Sequence, residues 1–406
     1  MIKEGEYMSN TNVNIFIPDY VLGVMDRIHR AGESAYIVGG CVRDALLGTP
    51  PNDYDMTVSC PPERTLEIFS DMRTIATGLK HGTVTVLSDG HPLELTTFRV
   101  DGSYTDSRRP DSVSFTRRIE DDLARRDFTV NAMAFAPNTG LIDLFGGQND
   151  LKQGIIRAVG DPSRRFEEDA LRIMRAFRFS AQLGFCIEDN TLRAAGECRN
   201  GLSNIARERI GVEFIKLLCS KDPAPAIKKM SETLTLDFAS KRYMPSEKLL
   251  SLISKMPSQD VSRLGFYLCE ADPDTARDII NQLKYSNRLK NGALAIVRES
   301  HTAISSPRDA TLLRSRVGEY APLVAKASSL LGYSLPSAVE LTQNDSTPSR
   351  IDQLAIGGND LLELGVTGRQ IGATLAHLLD EVITDPQLNT RQALIELVKK
   401  REKEKE

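Results

Sequence analysis

The chain has 406 residues, of which 41% are apolar and 26% charged, and its formal net charge is −4. That length exceeds one compact core and predicts two to four domains. The balance is that of a folded globular protein; it excludes a strongly basic wrapping protein, and the lack of any run of about 18 apolar residues excludes a spanning helix.

The N-terminal MIKEGEYMSNTN lacks a basic start followed by an apolar stretch, so no secretory signal is expected, and Met8 is an alternative start. Cysteines stand at 41, 60, 186, 198, 219 and 269; none forms a CxxC pair, and the five histidines do not cluster near them. This usage predicts buried reduced thiols in a cytoplasmic protein rather than a zinc site or a disulfide framework.

The first 155 residues or so read as mixed α/β. Tyr36 to Val38 is a short apolar run ending in Gly39-Gly40, and Cys41 to Leu47 has helical spacing. Asp53 to Val58, Thr83 to Leu87 and Leu93 to Phe98 alternate as strands do. From Arg165 onward the periodicity is helical, with helices expected over 166–183, 205–219, 246–254, 260–269, 275–284 and 370–383. A Ser/Thr/Pro/Asn-rich stretch over 330–348 marks a break, and the terminal KKREKEKE reads as a frayed, solvated helix end.

Chemistry concentrates at five places. Asp53 and Asp55 are two apart, so on a strand both carboxylates face one space. They cannot both stay ionised there without a counter-charge, and a hard divalent cation such as Mg²⁺ suits carboxylate oxygens together with phosphates and water. Taken alone, the pair is also compatible with a solvated loop. Upstream, Gly39-Gly40 lies between a strand and a helix, where backbone approaches a phosphate closely, and Arg43 adds a forked donor. Glu94 is a candidate third carboxylate, to help hold a metal or to take the proton from a 3′-hydroxyl; the alternative is an exposed strand glutamate.

Arg126, in Asp122-Leu-Ala-Arg-Arg-Asp-Phe, is the candidate ligand for a ribose triphosphate, against a surface ion-pair cluster with Glu120 and Asp121. Asp169, Arg172, Arg175 and Arg178 recur every three residues, which places them along one helix flank facing an anion; the alternative is a solvated basic face paired with Glu167 and Glu168. A fixed carboxylate such as Asp169 accepts from the amino group of cytosine or adenine, and an adjacent arginine donates to a ring nitrogen or carbonyl. Uracil and guanine present a carbonyl at that edge and are disfavoured, so no template strand is needed.

At these residues the chain resembles the bacterial tRNA nucleotidyltransferase and poly(A) polymerase family of the class II, polymerase-β-like type. The matching stretches run from YIVGGCVRDALLG and NDYDMTV through DLARRDFTVNAMAF and RRFEEDALRIMRAFRFSAQLGF to IARERIGVEF, over roughly residues 35–215. The tail segment LAIGGNDLLELGVTGRQIGATLAHLLDEV is also similar to that of Gram-positive CCA-adding enzymes. The resemblance implies an α+β fold: a polymerase-β-like head of mixed sheet and helices over 1–155, then an all-α neck over 156–220, body over 221–330 and tail over 331–406. It implies that Asp53 and Asp55 bind two Mg²⁺, that Gly40, Arg43 and Arg126 contact the nucleotide, that Asp169 and Arg172 select the base, and that Arg175 and Arg178 add further contacts. The activity implied is addition of C, C and A to tRNA from CTP and ATP, with poly(A) synthesis or partial addition as the alternative. The segment from Arg99 to Arg109 reads as intact, which favours full CCA addition, and the absence of any His-Asp pair removes the hydrolase activity of some relatives. The oligomeric state stays open, a homodimer included.

Overall fold

The structure is a computed structural model and describes residues 15–101, 113–235, 243–344 and 347–403. Met8 and most of the expected loop over 99–109 fall outside them. The chain divides into two compact units, residues 1–238 and 239–406.

The first unit opens with α1 (Asp19–Arg30), β1 (Ala35–Val38), α2 (Gly40–Leu46), β2 (Asp55–Val58), α3 (Pro62–Ile68), β3 (Thr74–Gly78), β4 (Thr83–Ser88) and β5 (His91–Thr97). A ribbon of β6 (Arg99–Asp101) and β7 (Val113–Phe115) follows, then α4 (Ile119–Ala124), β8 (Met133–Ala136), β9 (Gly140–Asp143) and α5 (Gly147–Gln153). Seven strands form one sheet in the order β3-β4-β5-β2-β1-β8-β9. All neighbours are antiparallel except β2 and β5, which run parallel with Asp55 opposite Glu94. The fully buried Ile37, Met56, Leu93 and Leu95 line the inner face of the sheet, and α1 brings its own apolar stripe, Val21, Val24, Met25 and Ile28, against β1 and β4.

Beyond β10 (Ile155–Ile156) the unit is helical, with α6 (Pro162–Glu168), α7 (Leu171–Leu183), β11 (Cys186–Ile187), α8 (Asp189–Glu197), α9 (Arg207–Leu218) and α10 (Ala224–Glu232). Helix α7 packs on α9 and α10 and is buried along most of its length; Ile173, Met174, Ala176 and Phe177 have no exposed surface.

The helix expected over 166–183 is two helices. Asp169 leaves the helical region at φ −145°, ψ 101°, and its Oδ1 accepts from the N–H of Leu171 at 3.0 Å. A short acidic side chain that captures a nearby backbone donor ends one helix and starts the next. Asp169 therefore sits in the elbow between α6 and α7, and not on the flank that carries the arginines.

The second unit is all-helical among the described residues: α11 (Glu247–Leu252), α12 (Asp260–Tyr267), α13 (Pro273–Gln282), α14 (Asn287–Glu299), α15 (Pro307–Val317), α16 (Ala321–Leu331), α17 (Ala338–Asn344), α18 (Gly358–Glu363), α19 (Arg369–Thr384) and α20 (Arg391–Lys403). The expected break over 330–348 contains the helix α17, which packs on α15 and α16. The last three helices close their own core of Leu361, Leu378, Val382, Leu394 and Val398. The fold is thus α+β, a mixed-sheet head followed by a helical remainder. No helix among the described residues is long and apolar enough to cross a membrane.

Candidate active site

The site lies where β2 starts. Asp53 precedes the strand by two residues, so the expectation that the strand begins there is corrected, yet the alternation continues: Asp53 and Asp55 are exposed while Tyr54 and Met56 are buried. Tyr54 turns inward and meets Tyr20 of α1 edge-on, at 6.4 Å between centroids. With Tyr54 anchored, both flanking carboxylates stand on the outer side. Glu94 faces the same way from the neighbouring strand, in register with Asp55.

Three carboxylates in one field are felt at Asp55. The protein packed around it pushes its carboxyl above the ordinary value, Asp53 and Glu94 push further, and Arg126 acts against them. No three His, Cys, Asp or Glu side chains among the described residues stand close enough to hold a metal by themselves. Two aspartates with surplus negative charge do fit Mg²⁺, which completes its shell from substrate phosphates and water.

Beside the acidic pair, Gly39 joins β1 to α2 at φ 75°, ψ −126°, a conformation that a side chain disfavours. A Cβ there would also stand 3.1 Å from Nη1 of Arg126, so the missing side chain lets that guanidinium lie along the turn. Arg126 donates from Nη2 to Asp122 at 3.2 Å, while its Nε is buried without a partner in the structure. An orphaned guanidinium N–H next to a glycine turn and an acidic pair is what an anionic ligand would satisfy. Burial pushes the Asp122 carboxyl up, but Arg125 and Arg126 outweigh it and hold it below its ordinary value. The partner of Arg126 is therefore the fully buried Asp122, and not Glu120 or Asp121.

Arg43 is mostly buried. It donates from Nε to Asp44 at 2.8 Å and from Nη1 to Asn131 at 2.7 Å, and Gly40 lies against its guanidinium. It shapes the turn from below.

The arginines of α7 correct the sequence reading more sharply. Each already has an acidic partner inside the protein, and they do not form a solvated face. Arg172 bonds Glu168 at 2.9 Å, the Arg165 carbonyl at 3.1 Å and the Arg125 carbonyl at 2.9 Å. Arg175 grips Asp127 at 2.6 Å, and Arg178 pairs with Glu213 of α9. Asp169 pairs with Arg209 at 3.3 Å. Burial raises the Asp127 carboxyl, yet Arg175 outweighs it and holds the group at about 2. These bonds still bring the expected residues together, because Arg172 and Arg175 tie the elbow and α7 to the segment that carries Arg126. Glu168 is the one partner that the spacing suggests; Asp127 and Glu213 are beyond its reach, as is Phe179, whose ring lies among these cations.

The chain is similar to known proteins over most of its length. Residues 35–157 match the poly A polymerase head domain, and residues 184–239 match the probable RNA and SrmB- binding site of polymerase A. The CCA-adding enzyme of Lactiplantibacillus plantarum is 37% identical over 395 residues, spanning 93% of this chain and 94% of the relative. That of Limosilactobacillus fermentum is 38% identical over 388 residues, spanning 92% and 94%. The chain belongs to the CCA-adding enzyme family. The crystal structure of the Bacillus stearothermophilus CCA-adding enzyme in complex with CTP is similar, with a TM-score of 0.81 and 31% identity over 96% of this chain and all of that one. The Thermotoga maritima enzyme complexed with tRNA shares the fold, with a TM-score of 0.67 at 22% identity over 97% and 98% of the two chains. As a CCA-adding enzyme the protein is a nucleotidyltransferase, and CCA addition rather than poly(A) synthesis is its activity.

Proposed function

We propose that this CCA-adding enzyme extends the 3′ end of tRNA in the cytoplasm by C, C and A, taking nucleotides in turn from CTP and ATP and releasing pyrophosphate. The observation that carries the reading is the outward-facing pair Asp53 and Asp55 set beside the glycine turn and the unpartnered Nε of Arg126. Asp53 and Asp55 would hold two Mg²⁺, which when bound supply Lewis acidity toward the attacking hydroxyl and neutralise triphosphate charge.

The residues of the chain divide the remaining work. Arg126 donates to the triphosphate, with Asp122 fixing its orientation. Gly40 and Arg43 shape the turn on which the phosphates rest. Glu94, next to Asp55, accepts the proton of the 3′-hydroxyl. Catalysis is then mostly positioning and charge neutralisation.

Base selection belongs to the elbow. Asp169 accepts from the amino group of cytosine or adenine, and Arg172 presents the N–H donors left over by its bonds to Glu168 and to the Arg165 and Arg125 carbonyls. Because Arg175 and Arg178 are already neutralised inside the protein, their part is to hold Asp127 and Glu213 and so keep the elbow seated. The division of labour follows the chain: a catalytic head over 1–155, a base-selecting neck over 156–220, and a body over 221–330 and tail over 331–406 that hold tRNA.

The test uses a tRNA transcript that stops before CCA, with labelled CTP and labelled ATP offered separately. Two C residues enter from CTP alone, and A enters only after them. Long runs of A from ATP alone would refute the reading, and arrest after CC with both nucleotides present would reduce it to partial addition.

A further inference from the structure

Phe179 lies in α7 one residue beyond Arg178, 6% exposed. Three guanidinium groups from two separate parts of the chain gather on its ring. The Cζ of Arg178 stands 3.8 Å from the ring centroid, that of Arg43 5.2 Å and that of Arg175 5.3 Å. Phe128, the neighbour of Asp127, meets the ring edge-on with centroids 5.9 Å apart.

Three like charges around one side chain repel unless each is balanced. Oxygens balance them: Asp44 and Asn131 for Arg43, Asp127 for Arg175, Glu213 and Gln182 for Arg178. The ring of Phe179 adds the attraction of its negative face to all three. An aliphatic side chain of similar volume would fill the space but give no attraction and no flat wall. The ring thus brings Arg43, from the turn beside the acidic pair, onto the helix that begins at the elbow, alongside the hydrogen-bonded chain that runs from Arg43 through Asn131 and Asp127 to Arg175.

We propose that Phe179 is a positioning residue for the nucleotide. Its ring holds Arg43 together with Arg175 and Arg178, so that seating of the triphosphate and selection of the base are linked through it. The inference rests on the reading of the site given above. A ring that only fills the core would affect stability and leave nucleotide binding alone.

The experiment compares Phe179→Leu and Phe179→Tyr in the full-length chain, with a tRNA transcript lacking CCA, CTP as correct substrate and UTP as incorrect. Phe179→Leu is expected to raise KM for CTP roughly tenfold, to change kcat by less than about threefold, and to narrow the preference for CTP over UTP. Calorimetric titration with CTP should show the same weakening without turnover. Phe179→Tyr keeps the ring and should restore KM to within about twofold. Unchanged KM and CTP affinity in Phe179→Leu would overturn the proposal. So would a defect that Phe179→Tyr fails to restore while its thermal melt matches the wild type. If Phe179→Leu melts below the assay temperature, Phe179→Met is judged by the same criteria. Asp55→Asn is run beside them: retained turnover there overturns the assignment of the site itself, whatever Phe179 does.

Discussion

Replacing Asp127 with Asn removes one charge from a buried carboxylate clamped by Arg175. The group accepts from the N–H of Phe128 at 2.8 Å, from Asn131 at 3.3 Å and from two nitrogens of Arg175 at 2.8 and 2.6 Å. Its carboxyl titrates at about 2 in the folded protein against 3.8 for the free group. That depression corresponds to about 2 kcal/mol of stability at neutral pH. The sign follows from linkage: the contribution is present above pH 3.8 and is lost as pH falls toward 2. Asn keeps the shape and most hydrogen bonds but leaves Arg175 facing a neutral amide, so the cost at pH 7 should be about 2–3 kcal/mol. The chain has no Trp, so urea unfolding is best followed by far-UV circular dichroism. The stability gap between wild type and Asp127→Asn should shrink to about half by pH 3. A gap below about 1 kcal/mol, or one that does not change between pH 7 and 3, would refute the coupling described here.

Asp53→Ala should abolish nucleotide incorporation while tRNA binding in a gel shift stays near wild type; surviving turnover contradicts the metal assignment. Asp169→Ala should lower the preference for CTP over UTP by roughly five- to 150-fold, the equivalent of one base contact of about 1–3 kcal/mol, and unchanged fidelity would remove Asp169 from base reading. Because the Asp55 carboxyl is raised in the folded protein, stability falls as pH rises from 3.8 through its raised value, and a divalent cation should reverse that loss. Stabilisation by millimolar Mg²⁺, read as a rise in Tm, should therefore be larger at pH 7 than at pH 4 and absent in Asp55→Asn. An equal rise at both values counts against a site at Asp55.

Local chemistry that acts within a few residues was legible in the sequence. The alternation around Asp53 and Asp55, the glycine turn before α2 and the periodicity of most helices all report contacts between near neighbours. Asp169 was misplaced although its own signal was present, since an aspartate just before an apolar helical run marks a helix start as readily as it joins a flank. Spacing points the arginines of α7 at an outside anion and hides their internal partners, because it shows where charges lie and not what faces them. Their partners Asp127 and Glu213 are 48 and 35 residues away from Arg175 and Arg178. Phe179 gave no signal, since an aromatic residue among core positions looks like packing until the cations around it are in place.

The tie between Asp127 and Arg175 bears on how the protein can be divided. The stretch matching the polymerase head domain ends at residue 157, yet the counter-ion of its buried carboxylate comes from residue 175, and that helix is in turn anchored by Glu213. A fragment cut at 157 would expose an orphan acid where its clamp had been. Chimaeras that exchange catalytic parts between relatives should therefore transplant the stretch through α9 as one piece, for the seam suggested by homology runs through an electrostatic joint.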